Sequence, residues 1–304
     1  MDETDLLLSL KLLVNSRTSL NDLANAFGMS INAIHKRIRI LADLGVIREF
    51  TARLNLMTLG ATVVLFVGRS ELRADDALFD EIAQTQLIYW LGMGAEKMVY
   101  IGAYLRDISD LESLTRFARD RLGVDDPRVL IHAPSPPRLR KDPLLSLKSL
   151  DYRIIYALHH DSRKTISVLA DELGVSAKTV RKHLNTLVEK QFVELSLKWF
   201  PDASNDIISL AECNIKKTID FEKSLRILRK KYSPNWMFEH QFVNQPALCL
   251  AWLWTPTMKE FQGVYDSLRA ESIFDSIDIE ILHHGFLFDT WRDSLLKERA
   301  MKQH

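Results

Sequence analysis

Two short stretches carry the kind of side chains that read nucleic acid. Asn32, His35, Lys36 and Arg39 recur at helical spacing behind Ser30, and Lys178, Arg181, Lys182 and Asn185 do so behind Ser176. Asparagine matches the donor–acceptor pair on an adenine edge, and arginine or lysine matches the two acceptors of guanine. Each good bidentate pair is worth about 1–3 kcal/mol of discrimination. Ser30, Arg37, Arg48, Arg53, Ser176 and Thr179 complete the expected DNA-contacting set, with the additional bases serving phosphate. Other chemistry is thin. His159-His160 and His283-His284 are adjacent pairs whose side chains diverge, and no third ligand stands at metal-binding spacing. Nothing resembles a phosphate-binding glycine loop, a nucleophile elbow or a paired-carboxylate motif. We therefore expect no catalytic residue, no metal and no cofactor.

The elements that must position those bases occur twice. Residues 5–47 and 151–193 align without a gap at an offset of 146, and Asp5/Asp151, Leu12/Leu158, Ser16/Ser162, Arg17/Arg163, Leu23/Leu169, Gly28/Gly174, Ser30/Ser176, Lys36/Lys182 and Leu41/Leu187 are identical. In each copy an apolar stripe marks a first helix, and Ser19 or Thr165 caps a short second one. Gly28 or Gly174 stops that helix in the left-handed conformation, and Ser30 or Ser176 caps a longer third helix. Ile34, Ile38 and Leu41 turn inward, which leaves Asn32, His35, Lys36 and Arg39 outside. A short positioning helix, a tight turn and a capped reading helix make a helix-turn-helix unit. Residues 48–53 are expected to form its wing. In the second copy Lys190-Gln191 replaces Leu44-Gly45.

Behind each unit, strand and helix patterns follow in the order βαββαβ, which predicts a ferredoxin-like sheet with two helices on one face. The expected fold class is α+β. The expected domains are a winged helix-turn-helix over 1–53, a sheet domain over 54–133, a Pro-rich basic linker over 134–147, a second winged unit over 148–200, a second sheet domain over 201–288 and a helical tail over 289–304. Forty basic and forty acidic residues cancel, but residues 30–53 carry five bases against two acids while residues 54–132 carry eight against twelve. Positive charge is thus concentrated at the reading helix. No apolar run approaches the roughly 20 residues needed to span a bilayer, and the basic start of a signal peptide is lacking, so a cytoplasmic chain with no membrane contact is expected. Cys213 and Cys249 sit in apolar runs as small core residues, and Trp236, Trp252, Trp254, Phe238 and Phe242 crowd the second sheet as core, sheet interface or apolar pocket.

The motifs D-x6-L at Asp5/Leu12, R-x-S-x3-LA from Arg17, G-x-S from Gly28 and R-I-x-x-L-x-x-L-G-V-I from Arg37, followed by βαββαβ, resemble the Lrp/AsnC ("feast/famine") transcription regulators, here duplicated in one chain. The resemblance implies double-stranded DNA as partner, sheets that pair face to face and assemble further with a second copy, and a small-molecule effector beside a glycine turn. Gly92, Gly94, Ala95 and Glu96 occupy that turn. In the second copy it is Asn244-Gln245-Pro246, which argues against an effector of the same form there. Sirohaem decarboxylase subunits resemble the same family and bind a tetrapyrrole between sheets. His132, His240 and Arg106 are the residues that the enzymatic alternative would use.

Overall fold

The computed structural model describes residues 1–133 and 147–302, so almost all of the expected linker lies outside the described residues. The chain order of head, sheet, head, sheet is regrouped in space. One compact unit holds both helical heads and the tail helix, and the other holds both sheets.

In the head unit, helices α1 (Glu3–Val14), α2 (Leu20–Phe27) and α3 (Ile31–Asp43) form the first head, and α7 (Ser149–Ala157), α8 (Ile166–Leu173) and α9 (Ala177–Glu189) the second. The predicted caps are in place. Ser19 accepts from Asp22 N at 3.0 Å and Ser30 from Ala33 N at 3.2 Å, while Thr165 accepts from Val168 N at 3.3 Å and Ser176 from Thr179 N at 3.1 Å. Gly28 and Gly174 stand at φ 62° and 66°, and a Cβ at either would touch nothing, so the dihedral alone calls for glycine. Where Gly45 takes φ 78°, the substituted Gln191 takes φ 56°, so the second copy keeps the turn without the glycine. Leu6, Leu12, Leu23, Ile34 and Leu41 are fully buried in the first head. The second buries Ile154, Leu158, Leu169 and Val180 together with Leu296 of the tail helix α12 (Trp291–Met301).

The expected wing is not a free hairpin. Strand β1 (Ile47–Leu54) pairs antiparallel with β6 (Val193–Trp199), its counterpart from the other copy. A lone strand leaves a row of backbone groups unpaired, and the duplicate satisfies them. A short helix α4 (Leu56–Leu59) follows β1.

In the sheet unit the first βαββαβ is β2 (Thr62–Arg69), α5 (Asp76–Thr85), β3 (Ile88–Gly94), β4 (Met98–Leu105), α6 (Asp110–Asp120) and β5 (Arg128–Ile131). The second is β7 (Ile207–Ile215), α10 (Phe221–Lys231), β8 (Trp236–Phe242), β9 (Gln245–Thr255), α11 (Met258–Arg269) and β10 (Phe274–Leu287). The two sheets are one ladder rather than two separate layers, in the order β5-β2-β4-β3-β10-β7-β9-β8. The 14-residue β10 makes the join, pairing with β7 through Phe274–Ile281 and with β3 from Leu282 to Leu287. The far edges also meet. His132 bridges Phe242, Val243 N donates to Ile131 O at 2.9 Å, and Ala133 N donates to Gln241 O at 2.8 Å, so the ladder closes into a barrel with its helices outside. Asn244 helps close it, accepting from Ile131 N at 2.9 Å and donating to Val129 O at 2.8 Å. The asparagine of the second copy's turn is thus a structural link to β5. Cys213 and Cys249 face each other across β7 and β9 as free, fully buried thiols under the helices. Their mutual hydrogen bond, and then burial, push Cys213 well up.

Candidate nucleic-acid interface

The paired heads are clasped about a pseudo-two-fold axis by residues identical in both copies. Ser16 Oγ and Ser162 Oγ are 2.6 Å apart and fully buried. Arg163 Nη1 donates to Ser16 O at 2.7 Å and Thr18 O at 3.2 Å. Reciprocally, Arg17 Nη1 donates to Ser162 O and to Lys164 O, the latter at 2.9 Å. Burial, and then repulsion from Arg163, lowers the Arg17 pKa; burial lowers that of Arg163. The spacing rules did not assign these four residues a role, although their exact recurrence at the repeat offset was the available signal.

The clasp presents two reading helices of one length and two chemistries. On α3, Asn32, His35, Lys36 and Arg39 are exposed, as are Lys178, Arg181, Lys182 and Asn185 on α9. Arg39 makes only a loose i,i+4 contact with Asp43 at 3.8 Å, both side chains being largely in solvent. Ser30 and Ser176 spend their hydroxyls on the helix N-termini, and Thr179 Oγ1 lies 2.8 Å from Ser176 Oγ. Helix N-termini of this kind leave backbone N–H groups for phosphate.

Two arginines of the expected set, Arg37 and Arg53, do not face outward. Arg37 is half-buried and ties α3 to α1 through Asp5 at 2.7 Å; its counterpart His183 makes the equivalent bond to Asp151, also at 2.7 Å. Arg53 points inward, 3.1 Å from Asp293 and 3.3 Å from Asp289, with 16% of its side chain exposed. Arg292 and His159 complete this buried ionic cluster, with Arg292 2.8 Å from Glu194 and His159 3.7 Å from Asp293. The pairing of β1 with β6 turns Arg53 away from any wing. Arg48 is exposed, with its guanidinium 3.7 Å above the Phe200 ring.

The turn at 92–96 also differs from expectation. Gly92 and Gly94 lie within β3, and the left-handed residues are Glu96 at φ 49° and Lys97 at φ 66°. A Cβ on Gly92 would run into the Trp90 indole, so this glycine serves close ring packing rather than a turn. Ala95 begins a 3-10 turn, and exposed Glu96 pairs with Arg69 at 3.3 Å.

The barrel's inner face, the one turned from the helices, holds a second cluster. Trp90 stands 5.1 Å from Trp252, which stacks on Phe238 at 5.5 Å; His240 lies 6.5 Å from Trp252 and 4.3 Å from His132. Burial pushes His132 down to about 4, and burial together with His132 pushes His240 down to about 3, so both rings are neutral at neutral pH. Tyr100 Oη and Trp252 Nε1 are buried there without a hydrogen-bond partner among the described residues. Arg106 is exposed and follows the last residue of β4. Trp236 belongs to the helix-side core.

Among the described residues, no helix is long and apolar enough to cross a membrane. A winged helix-turn-helix DNA-binding family model matches residues 1–48 and 147–194. An HTH-type transcriptional regulator of Pyrococcus furiosus is 32% identical over 129 residues, which cover 41% of this chain and 84% of that protein. The HTH-type regulator LrpA of Mycobacterium tuberculosis is 32% identical over 80 residues, or 25% of this chain and about half (53%) of LrpA. Over nearly the whole chain the fold is similar to that of the siroheme decarboxylase NirDL, also crystallised with an iron-uroporphyrin III analogue. That match has a TM-score of 0.57 and 14% identity, and covers 97% of this chain and 98% of the other. At that identity the likeness describes the fold, whereas the relatives and the two matched heads define the family. This chain belongs to the Lrp/AsnC family of helix-turn-helix transcription regulators.

Proposed function

We propose that the protein is a sequence-specific DNA-binding regulator that carries two non-identical reading heads in one pseudo-dimeric chain. The observation that carries the reading is the pair of clasped heads, each with a capped reading helix and an exposed polar face, Asn, His, Lys and Arg on the first and Lys, Arg, Lys and Asn on the second. Asn32, His35 and Arg39 on one helix correspond to Lys178, Arg181 and Asn185 on the other, so the half-sites differ. Lys36 and Lys182, identical in both copies, supply phosphate contacts that do not depend on sequence. Fusion replaces a bimolecular encounter with a tethered one, so the heads stay paired at any protein concentration. The test is fluorescence anisotropy with promoter duplexes taken from the chain's own genome. K36E/R39E and K178E/R181E should each weaken binding and flatten its salt dependence. Unchanged affinity in both variants would remove these helices from the interface.

A second reading is a tetrapyrrole-binding decarboxylase, favoured by the inner-face His132–His240 pair and the fold shared with NirDL. Neutral imidazoles are good iron ligands. A uroporphyrin-type ring, however, carries many carboxylates and needs cations around it. The inner face instead carries Glu212 and Glu280, and its Arg128 is already paired with Glu212 at 2.5 Å. The charge of this face supports the regulator. Incubation with sirohaem separates the two readings, because a shifted Soret band with release of carbon dioxide would support the enzyme.

A further inference from the structure

The duplicated sheets have diverged most sharply in the charge of one equivalent helix. Helices α5 and α10 occupy the same place in their halves, and the offset of 146 carries Asp76–Thr85 onto residues 222–231. Between β2 and β3, residues 70–87 hold five acids and one base; between β7 and β8, residues 216–235 hold seven bases and two acids. At aligned positions Ala77 becomes Lys223, Asp80 becomes Arg226, Gln84 becomes Lys230 and Thr85 becomes Lys231.

Neighbouring elements do not cancel this contrast. With the segment carrying α6 (106–127) included, the first helical layer has eleven acids and five bases. With the segment carrying α11 (256–273) included, the second has nine bases and five acids. On the basic helix Arg229 is taken by Glu239, and Lys231 by Glu271 at 2.5 Å. Lys223, Arg226 and Lys230 are exposed and make no ion pair among the described residues, and Ile227 stands between them at 52% exposure. On the acidic helix Glu81 is taken by Arg121, while Asp76 and Asp80 are exposed and likewise without an ion-pair partner among the described residues.

Unpaired exposed charge of one sign is ordinarily a solvated face. Here the complementary face lies on the same chain, but the barrel keeps the two from meeting, because α5 covers one half and α10 the other, both outside. We propose that α10 of one copy docks on α5 of a second copy through Lys223, Arg226 and Lys230 against Asp76 and Asp80. Such a contact is heterologous, so each copy keeps one face open and the association propagates into a ring or a filament. DNA would account for the basic face of α10 but not for the acidic change on α5, whereas a second copy accounts for both.

The contact is electrostatic at its rim and therefore sensitive to salt, with a screening length of about 10 Å at 0.1 M falling to about 3 Å at 1 M. Sedimentation velocity of the intact chain, without DNA, across that salt range tests the proposal. The expected result is a larger species at low salt that disappears at high salt. The K223E/R226E/K230E chain and the D76K/D80K chain should each lose it, while circular dichroism reports that both remain folded. The chain carrying both reversals should regain it, because the complementarity is restored with the signs exchanged. Three results would overturn the proposal: a monomer at every salt concentration, self-association that survives either reversal, or a doubly reversed chain that stays monomeric. If K223E/R226E/K230E lowered only DNA affinity, the patch would be assigned to DNA instead.

Discussion

Removing one hydroxyl of the Ser16–Ser162 pair should cost more stability than removing both. The two Oγ atoms are 2.6 Å apart and fully buried, and neither has another side-chain partner among the described residues. Ser16→Ala therefore leaves Ser162 Oγ buried and unsatisfied, a desolvation penalty of about 1–3 kcal/mol. The same argument holds for Ser162→Ala. In S16A/S162A no orphan remains and only small apolar groups face each other, so the net change should stay within about 1 kcal/mol. The double-mutant cycle is then strongly non-additive, with the second substitution recovering most of what the first lost. Urea unfolding followed by far-UV circular dichroism measures it directly, and thermal midpoints should move by roughly 2–4 °C per kcal/mol. Additive losses, or single variants that are neutral, would refute the inference that these hydroxyls satisfy one another at the axis of the clasp.

Four further outcomes follow from the same geometry. Arg53→Ala should destabilise the head unit by about 3 kcal/mol in a denaturant titration, because Asp293, 9% exposed, stays buried with its nearest guanidinium gone. Burial alone pushes Asp293 up, but Arg53 and Arg292 outweigh it and hold the carboxyl below its usual range. Its contribution is therefore present above the ordinary carboxylate range and lost as pH falls through the folded-state value, and Arg53→Ala should flatten that acid limb. His132 and His240 act in the same direction over a higher window. Their folded values of about 4 and about 3 lie below the unfolded 6.5, so the stability carried by the neutral rings is complete above 6.5 and declines as pH falls toward 4. A urea series across that window should show the decline in the wild type and a shallower one in H132Q/H240Q. Sirohaem added to the intact chain should leave the Soret band of the free macrocycle unshifted.

Much of the head unit was legible in the sequence because its signals are local. Ser19, Gly28 and Ser30 act on neighbours three or four residues away, and each does in the structure what its spacing predicts. The strand and helix order of the sheets was legible for the same reason. Long-range pairing was not. Nothing within residues 48–53 says that β1 will take β6 as its partner, and that choice turns Arg53 from a wing contact into a buried ion pair. Closure of the barrel depends on Asn244 meeting the backbone of β5, more than a hundred residues away in sequence. His132 and His240 come together through that closure, with no spacing to announce it. Gly92 shows the remaining difficulty: the glycine is needed, but for the Trp90 ring rather than for the turn it seemed to mark.

The central claim is that two clasped heads with different outward residues read one asymmetric site. Selection of bound duplexes from a random library by the intact chain, followed by footprinting of the winners, tests it most directly. The account predicts two dissimilar half-sites whose centres lie about 10 base pairs or a multiple apart, with K36E/R39E erasing preference in one half and K178E/R181E in the other. A palindromic consensus, or a library that emerges from selection unenriched, would contradict it.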